Sequence, residues 1–342
     1  MLDQILRRGH NDDSVVQQGV SALDDAALVR VTDDTSLVIA SDFVRGSGFY
    51  LFELGHLNYF DVGYYLIIAN LSDIAAMGAR PSGLTTIVRY NNSMTDSDFR
   101  SVFEGINAAA LKYETEIVGG DIGGYGLDVF AATAFGFMKT TQALLRSSAK
   151  PGDLLCVTGT VGRAITALLY FKEVKAKGFS LSPEDEARVL LAWKRPEARI
   201  REGVLLAESG IGHACQDVSD GLKSTIEQMS SLSGQTFTVS EEAIPIDSTT
   251  VAMANFLKVP VCQIAMSASV DFELLFTIAP TDMESCHREF QQHGLSFHVI
   301  GQTNTLGRNV LVDPQGRETV MPGVPWAQQT GDYLREIIGG QK

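Results

Sequence analysis

Ile67-Ile68-Ala69-Asn70-Leu71-Ser72-Asp73-Ile74-Ala75-Ala76-Met77-Gly78-Ala79-Arg80-Pro81 decides how the rest of the chain reads. From Val62 to Met77 apolar residues recur at mixed spacings of three and four, which predicts a mostly buried helix. Gly78 ends it, and Pro81 follows. A carboxylate at Asp73, inside that apolar run, is costly to bury unless it is paired, hydrogen-bonded or bound to a cation. Asn70 lies three residues earlier on the same helix face, so the two could ligate one ion together. The alternative is that this face simply meets water.

N-terminal to this helix, residues 26–31 and 36–40 are strand-like runs split by the polar turn Thr32-Asp33-Asp34-Thr35. C-terminal to it, residues 84–89 form a short β-branched strand. Thr95 then offers an N-cap to a helix running to about Tyr113. Residues 116–118 lead into Gly119-Gly120-Asp121, and residues 128–138 predict a further strand. The alternation of strand and helix predicts a mixed α/β domain. Lys150-Pro151-Gly152-Asp153 is a turn before a buried strand at residues 154–158, and the domain boundary is expected near residue 147. Residues 172–195 read as a charged, exposed helical connection. Beyond it the pattern repeats: helices at residues 199–209, 222–232 and 251–256, with strands at 236–239, 272–278 and 297–300.

The chain has 342 residues, enough for two cores, and its 45% hydrophobic content excludes a disordered chain. No apolar run reaches the ~20 residues of a membrane span. The polar start MLDQILRRGHNDDS shows no signal-peptide apolar region. Cys156, Cys215, Cys262 and Cys286 form no CxxC pair and suit a reducing cytoplasm. A formal net charge of −14 makes nucleic acid a poor partner. An acidic protein can still bind a small phosphate compound if a divalent cation stands between them, since Mg²⁺ selects oxygen ligands. The other reading of the acidity is a solvated surface.

The acidic residues follow apolar runs. Asp24-Asp25 precedes a strand, Asp42 follows Val38-Ile39-Ala40-Ser41, Asp121 follows two glycines at a strand end, and Asp217 and Asp220 flank Ser219 ahead of a helix. Ligands of open α/β folds gather at the carboxyl ends of strands; an Asp before a helix is also an ordinary N-cap. Gly119 and Gly120 let the backbone approach a ligand closely. Gly159-Thr160-Val161-Gly162, before a helix, either presents backbone N–H groups to a phosphate or is a tight turn. Arg146 is the best placed single cation for a phosphoryl group, because its planar fork matches phosphate oxygens.

Five strings stand in order and register: residues 71–81, Val118-Gly119-Gly120-Asp121, residues 143–153, Asp217-Val218-Ser219-Asp220-Gly221-Leu222 and Asp271-Phe272-Glu273-Leu274-Leu275-Phe276. Together they resemble the thiamine-monophosphate kinase family, in the superfamily of aminoimidazole ribonucleotide synthetase, selenophosphate synthetase and the hydrogenase maturation protein HypE. The resemblance implies a two-domain PurM-like α/β (α+β) architecture. Residues 1–147 would be an ATP- and metal-binding domain that dimerises through its sheet, and residues 148–342 a second α/β domain. It implies ATP and Mg²⁺ as cofactors and Asp25, Asp42, Asp73, Asp121, Asp217 and Asp220 as metal ligands. Gly119, Gly120, Asp121, Arg146 and Ser219 would meet the nucleotide, with Arg146 and Asp220 acting on the transferring phosphoryl group. The implied reaction passes the ATP γ-phosphate to thiamine monophosphate or a divergent phosphate-bearing small molecule, in a cytoplasmic homodimer without nucleic-acid or membrane partners.

The chain departs from the family's pattern in three segments. Ser21-Ala22-Leu23-Asp24-Asp25 replaces Gly-Ile-Gly-Asp-Asp, which removes the flexible approach to the acidic pair. Residues 44–49 lack the Glu and His of Val-Glu-Gly-Val-His-Phe. Ala268-Ser269-Val270-Asp271-Phe272-Glu273-Leu274 replaces Gly-Gly-Glu-Asp-Tyr-Glu-Leu, and the family's C-terminal aromatic segment is echoed only by Pro325-Trp326. The alternatives are an activating enzyme of the superfamily that phosphorylates an amide or carbonyl oxygen, and a non-catalytic ATP-binding homologue.

Overall fold

The structure, a computed structural model, describes residues 15–19, 22–46, 49–325 and 333–339. Ser21, Ser47, Gly48, Trp326 and the two chain ends, all used in the sequence reading, lie outside the described residues. Two compact units form. The first is built on residues up to Leu145 plus Glu197–Gly210. The second is built on Arg146–Pro196 plus the residues from Ile211 onward.

The first unit holds a sheet ordered β1-β2-β3-β6-β4-β5. Its strands are β1 (Val16–Gln18), β2 (Ala27–Arg30), β3 (Thr35–Val44), β4 (Arg80–Tyr90), β5 (Ile117–Gly124) and β6 (Val129–Lys139). Only the β4–β5 pair is parallel. The helix expected over Val62–Met77 is α1 (Tyr59–Ala76). Asn58 and Asp61 close a capping box at its start, each satisfying a backbone N–H of the other's residue. Leu66, Ile67, Ile68, Leu71 and Ile74 are fully buried on it; each side chain taken from water stands for about 1.5–3 kcal/mol of gross burial. Thr95 caps α2 (Asp96–Lys112), again with a capping box, through Asp98.

The helix Ile200–Ser209 belongs to this first unit, although its sequence lies in the second half. Glycine explains the docking. A Cβ at Gly203 would stand 2.0 Å from the Ala75 carbonyl oxygen, so the helix can approach α1 this closely only without a side chain there. Arg80 adds a bidentate pair, both nitrogens 2.9 Å from Glu208 carboxylate oxygens.

The second unit holds a sheet ordered β13-β12-β9-β11-β7-β10-β8. Its strands are β7 (Leu154–Val157), β8 (Gly212–Asp217), β9 (Thr236–Ser240), β10 (Leu274–Ile278), β11 (His298–Asn304), β12 (Val310–Val312) and β13 (Glu318–Thr319). The helix α3 (Arg163–Leu169) follows β7, and α4 (Leu222–Ser233) follows β8. Leu155, Val157, Leu222, Ile226, Phe237, Leu275 and Ile300 share one apolar core. Residues 172–195 are more than an exposed connection. A π turn at Tyr170–Val174 and the helix Pro183–Lys194 each bury a valine, Val174 and Val189, and the Tyr170 hydroxyl donates to Glu186. Among the described residues no helix is long and apolar enough to cross a membrane.

Candidate functional site

Asp73 is the half-exposed exception on an otherwise buried stretch of α1. A carboxylate oxygen of Asp73 and one of Asp25 lie within 4.8 Å of each other. Two hard anionic oxygens held this close repel unless a cation stands between them, and they match what Mg²⁺ selects. Asp25 is carried there by a bend at Leu23, whose φ of +55° lies in the left-handed region. A residue with a Cβ pays about 1–2 kcal/mol for that conformation. The family's pattern has a glycine at this position; here the backbone shape is present without the glycine.

Asn70 does not ligate beside Asp73. It is fully buried; its side-chain oxygen accepts the Asp42 N–H at 3.0 Å, and its amide nitrogen donates to the Leu66 carbonyl at 2.9 Å. Both ends of the amide are engaged by backbone, so Asn70 ties β3 to α1 at the level of Asp42. The Asp42 carboxylate accepts the Phe43 N–H at 2.6 Å.

Asp121 stands apart from these acids. It sits within β5, not at its end. Paired residues share a face of a sheet, and the register aligns Asp42 with Ala132, Ala132 with Thr86, and Thr86 with Gly120. Asp121 therefore points to the opposite face, and three strand spacings of about 4.8 Å separate its strand from that of Asp42. On that face Arg89 pairs with it and holds its carboxyl below the usual range. Gly120 has its own structural cause: its φ is +151°, and a Cβ would fall 2.0 Å from the Thr86 carbonyl oxygen. Gly119 has room for a side chain, with only the Thr85 methyl 3.9 Å away.

In the second unit Asp217 ends β8 and is buried, while Asp220 is exposed. The Ser219 hydroxyl donates to Asp217 at 2.7 Å, fixing one carboxylate oxygen. Arg146 lies in a single 3₁₀ turn, Arg146–Ser148, and donates to the Gln228 side-chain oxygen at 3.4 Å. The Gln216 amide donates to the same oxygen at 2.5 Å.

The phosphate reading of Gly159–Gly162 is overturned. Asp271 accepts the Gly162 N–H at 2.7 Å and the Ala164 N–H at 3.2 Å, and the Ser269 hydroxyl oxygen accepts the Ile165 N–H at 3.2 Å. The start of α3 is thus capped from within the chain, and these donors are spent. Burial pushes the Asp271 carboxyl up to about 6, against the two N–H groups and the serine that pull it down. Its neighbour Glu273 is also turned inward, accepting the Thr158 hydroxyl at 2.6 Å. Sequence reading missed Arg89, Gln228 and the capping role of Asp271. No local pattern marks them, because Arg89 meets Asp121, Gln228 meets Arg146 and Asp271 meets Gly162 across at least 32 residues of chain.

The protein-family model described as "AIR synthase related protein, N-terminal domain" matches residues 23–138, and that described as "AIR synthase related protein, C-terminal domain" matches residues 150–313. The chain is 30% identical to the thiamine-monophosphate kinase of Pyrococcus horikoshii over 312 residues, 91% of this chain and 92% of that protein. Among solved structures it is similar to thiamine-monophosphate kinase from Stenotrophomonas maltophilia K279a, with 26% identity, a TM-score of 0.73, and coverage of 91% of this chain and 93% of that one. The AaThiL complex with AMPPCP and TMP gives a TM-score of 0.75 at 21% identity, covering 91% and 93%, a likeness of fold.

Proposed function

The chain belongs to the thiamine-monophosphate kinase family of AIR synthase related proteins, and we propose that it transfers the ATP γ-phosphate to the phosphate of a small molecule, thiamine monophosphate or a divergent acceptor. The observation that carries this reading within the chain is the approach of Asp25 and Asp73 to within 4.8 Å, in a segment whose family string is otherwise altered. An acceptor that is already an anion needs no strong base. The chemical demand is neutralising charge and holding donor and acceptor in line.

Mg²⁺, when bound, would supply positive charge to neutralise the phosphate groups. We propose Asp25, Asp42 and Asp73 as Mg²⁺ ligands of the first unit and, separately, Asp217 and Asp220 as Mg²⁺ ligands of the second, with Ser219 orienting Asp217. Arg146, steadied by Gln228, would meet the phosphoryl group. A homodimer is proposed through the sheet face that leaves Phe43, Ile87 and Phe137 exposed; they share that face by register. Asp121 lies on the same face, so its role is proposed for the assembled dimer rather than beside Asp42 within one chain. A cytoplasmic location suits four buried cysteines, none in a disulfide.

ADP release, followed by a coupled assay with thiamine monophosphate and a panel of phosphate monoesters, tests the reading. Acceptor-stimulated, Mg²⁺-dependent turnover is the expected result. ATP binding without turnover on any acceptor would overturn it in favour of the non-catalytic homologue.

A further inference from the structure

Asp42 and Asp73 stand on different elements and break the same pattern. In the alternate row Ser36, Val38, Ala40, Asp42 and Val44 of β3, every residue is buried except Asp42. On α1, Asp73 is the half-exposed position in a buried stretch. Asn70 lies between them and is fully buried. The pairing of β2 with β3 stops at Ala27 opposite Ile39. Beyond that point the Asn70 side-chain oxygen takes up the Asp42 N–H at 3.0 Å, and its amide nitrogen lies 3.5 Å from the Asp42 carbonyl oxygen. A carboxamide carries the same acceptor and donor as a peptide group, so Asn70 does for Asp42 what a neighbouring strand would.

The link is held at both ends. On its own helix the Asn70 amide donates to the Leu66 carbonyl one turn back, at 2.9 Å. Asp73 follows three residues later on the same side of that helix. On β3 the Phe43 N–H donates to the Asp42 carboxylate at 2.6 Å, fixing one of its oxygens. Hydrogen bonds within the protein therefore set where Asp42 stands relative to Asp73. Partners that orient ligands in this way govern metal affinity, because a cation binds tightly only to oxygens already in place.

We propose that Asn70 is a positioning residue for the divalent cation: it touches no metal, and its carboxamide fixes the separation of Asp42 from Asp73 on which the affinity depends. The part played by the two acids rests on the reading above; the part played by Asn70 rests on its hydrogen bonds. The two are separable by experiment. Mn²⁺, which suits the same oxygen donors as Mg²⁺, is titrated into the full chain without nucleotide or acceptor. Binding is followed by loss of the free ion's electron paramagnetic resonance signal, and the site that D73N weakens is the one in question.

N70S keeps a hydroxyl that can donate to the Leu66 carbonyl but ends short of Asp42. It should weaken Mn²⁺ at that site about tenfold or more. In a D73N background the same change should cost less than about twofold, since the separation it disturbs no longer has two acidic ends. Equal losses in both backgrounds would make Asn70 a folding residue and sink the proposal. A second measurement needs no variant: hydrogen exchange of the Asp42 amide in the parent protein. Slow exchange is expected with and without Mg²⁺. Exchange that is fast in the metal-free protein and slows only when Mg²⁺ is added would show that the ion, not Asn70, sets the separation. Mn²⁺ binding weakened by D73N but untouched by N70S removes the positioning role and leaves the metal reading standing. Mn²⁺ binding that D73N does not alter overturns the metal reading, and the positioning role with it.

Discussion

Four described residues with a Cβ lie in the left-handed region, and two of those bends, at Leu23 and Phe272, serve opposite ends. Leu23, at φ +55°, is half exposed and delivers Asp25 outward to within 4.8 Å of Asp73. Phe272, at φ +54°, is buried and sits between two acids that turn inward, Asp271 onto the start of α3 and Glu273 onto Thr158. Both bends store strain of about 1–3 kcal/mol. The difference lies in what the neighbouring carboxylates have to bond. Near Phe272 backbone N–H groups and a hydroxyl satisfy them, so they build the fold. Between Asp25 and Asp73 the close neighbour is another anion, and a cation is the natural complement.

The largest expected effect breaks the outward bend's partner. Asp73→Asn should cut acceptor-stimulated ADP release about a hundredfold or more. The melting temperature should hold or rise, because one of two mutually repelling charges has gone. A fall in both together would make Asp73 a folding residue like Asp271. Next in size is glycine at the two bends. Phe272→Gly should cost about 3 kcal/mol or more in denaturant unfolding, since the lost buried ring outweighs the strain relieved. Leu23→Gly should fall within about 1 kcal/mol of neutral, the relief of left-handed strain offsetting glycine's entropy cost.

Asp271→Ala should destabilise by about 0.5–2 kcal/mol, the usual range for a lost cap. It should also remove a pH dependence. Burial raises the carboxyl from 3.8 to about 6, so the folded chain holds that proton more tightly than the unfolded one. The stability this supplies is complete below pH 3.8 and is lost as pH rises through about 6. The melting temperature of the parent protein should therefore fall more between pH 4.5 and 6.5 than that of the variant. The smallest effect is expected on the outer sheet face. Arg89→Ala should leave the monomer's melting temperature unmoved, since exposed ion pairs contribute little. Analytical ultracentrifugation of the same variant then isolates any contribution of the Arg89–Asp121 pair to dimerisation.

Much of this was readable from local pattern. The apolar spacing around Asp73 placed α1, Thr95 and Asp98 placed the start of α2, and the five strings gave the family resemblance. Caps and helix periods are legible because their partners lie within four residues. The residues that changed meaning have distant partners. Asn70 is spent on Asp42, the donors of Gly162 and Ala164 are spent on Asp271, and Gly203 carries its helix back onto the first unit.

The sequence by itself determined most of the longer helices and strands of the first unit, because period and capping are properties of a few neighbouring residues; it left the helix Met283–Gln292 and the strands β8, β12 and β13 unmarked. Only the tertiary structure decided that Asp121 faces away from Asp42 and that Asn70 takes up the Asp42 N–H. Alternation along a strand assigns side chains to two faces. Which face meets which depends on pairing register, and register is set by contacts between strands far apart in the chain.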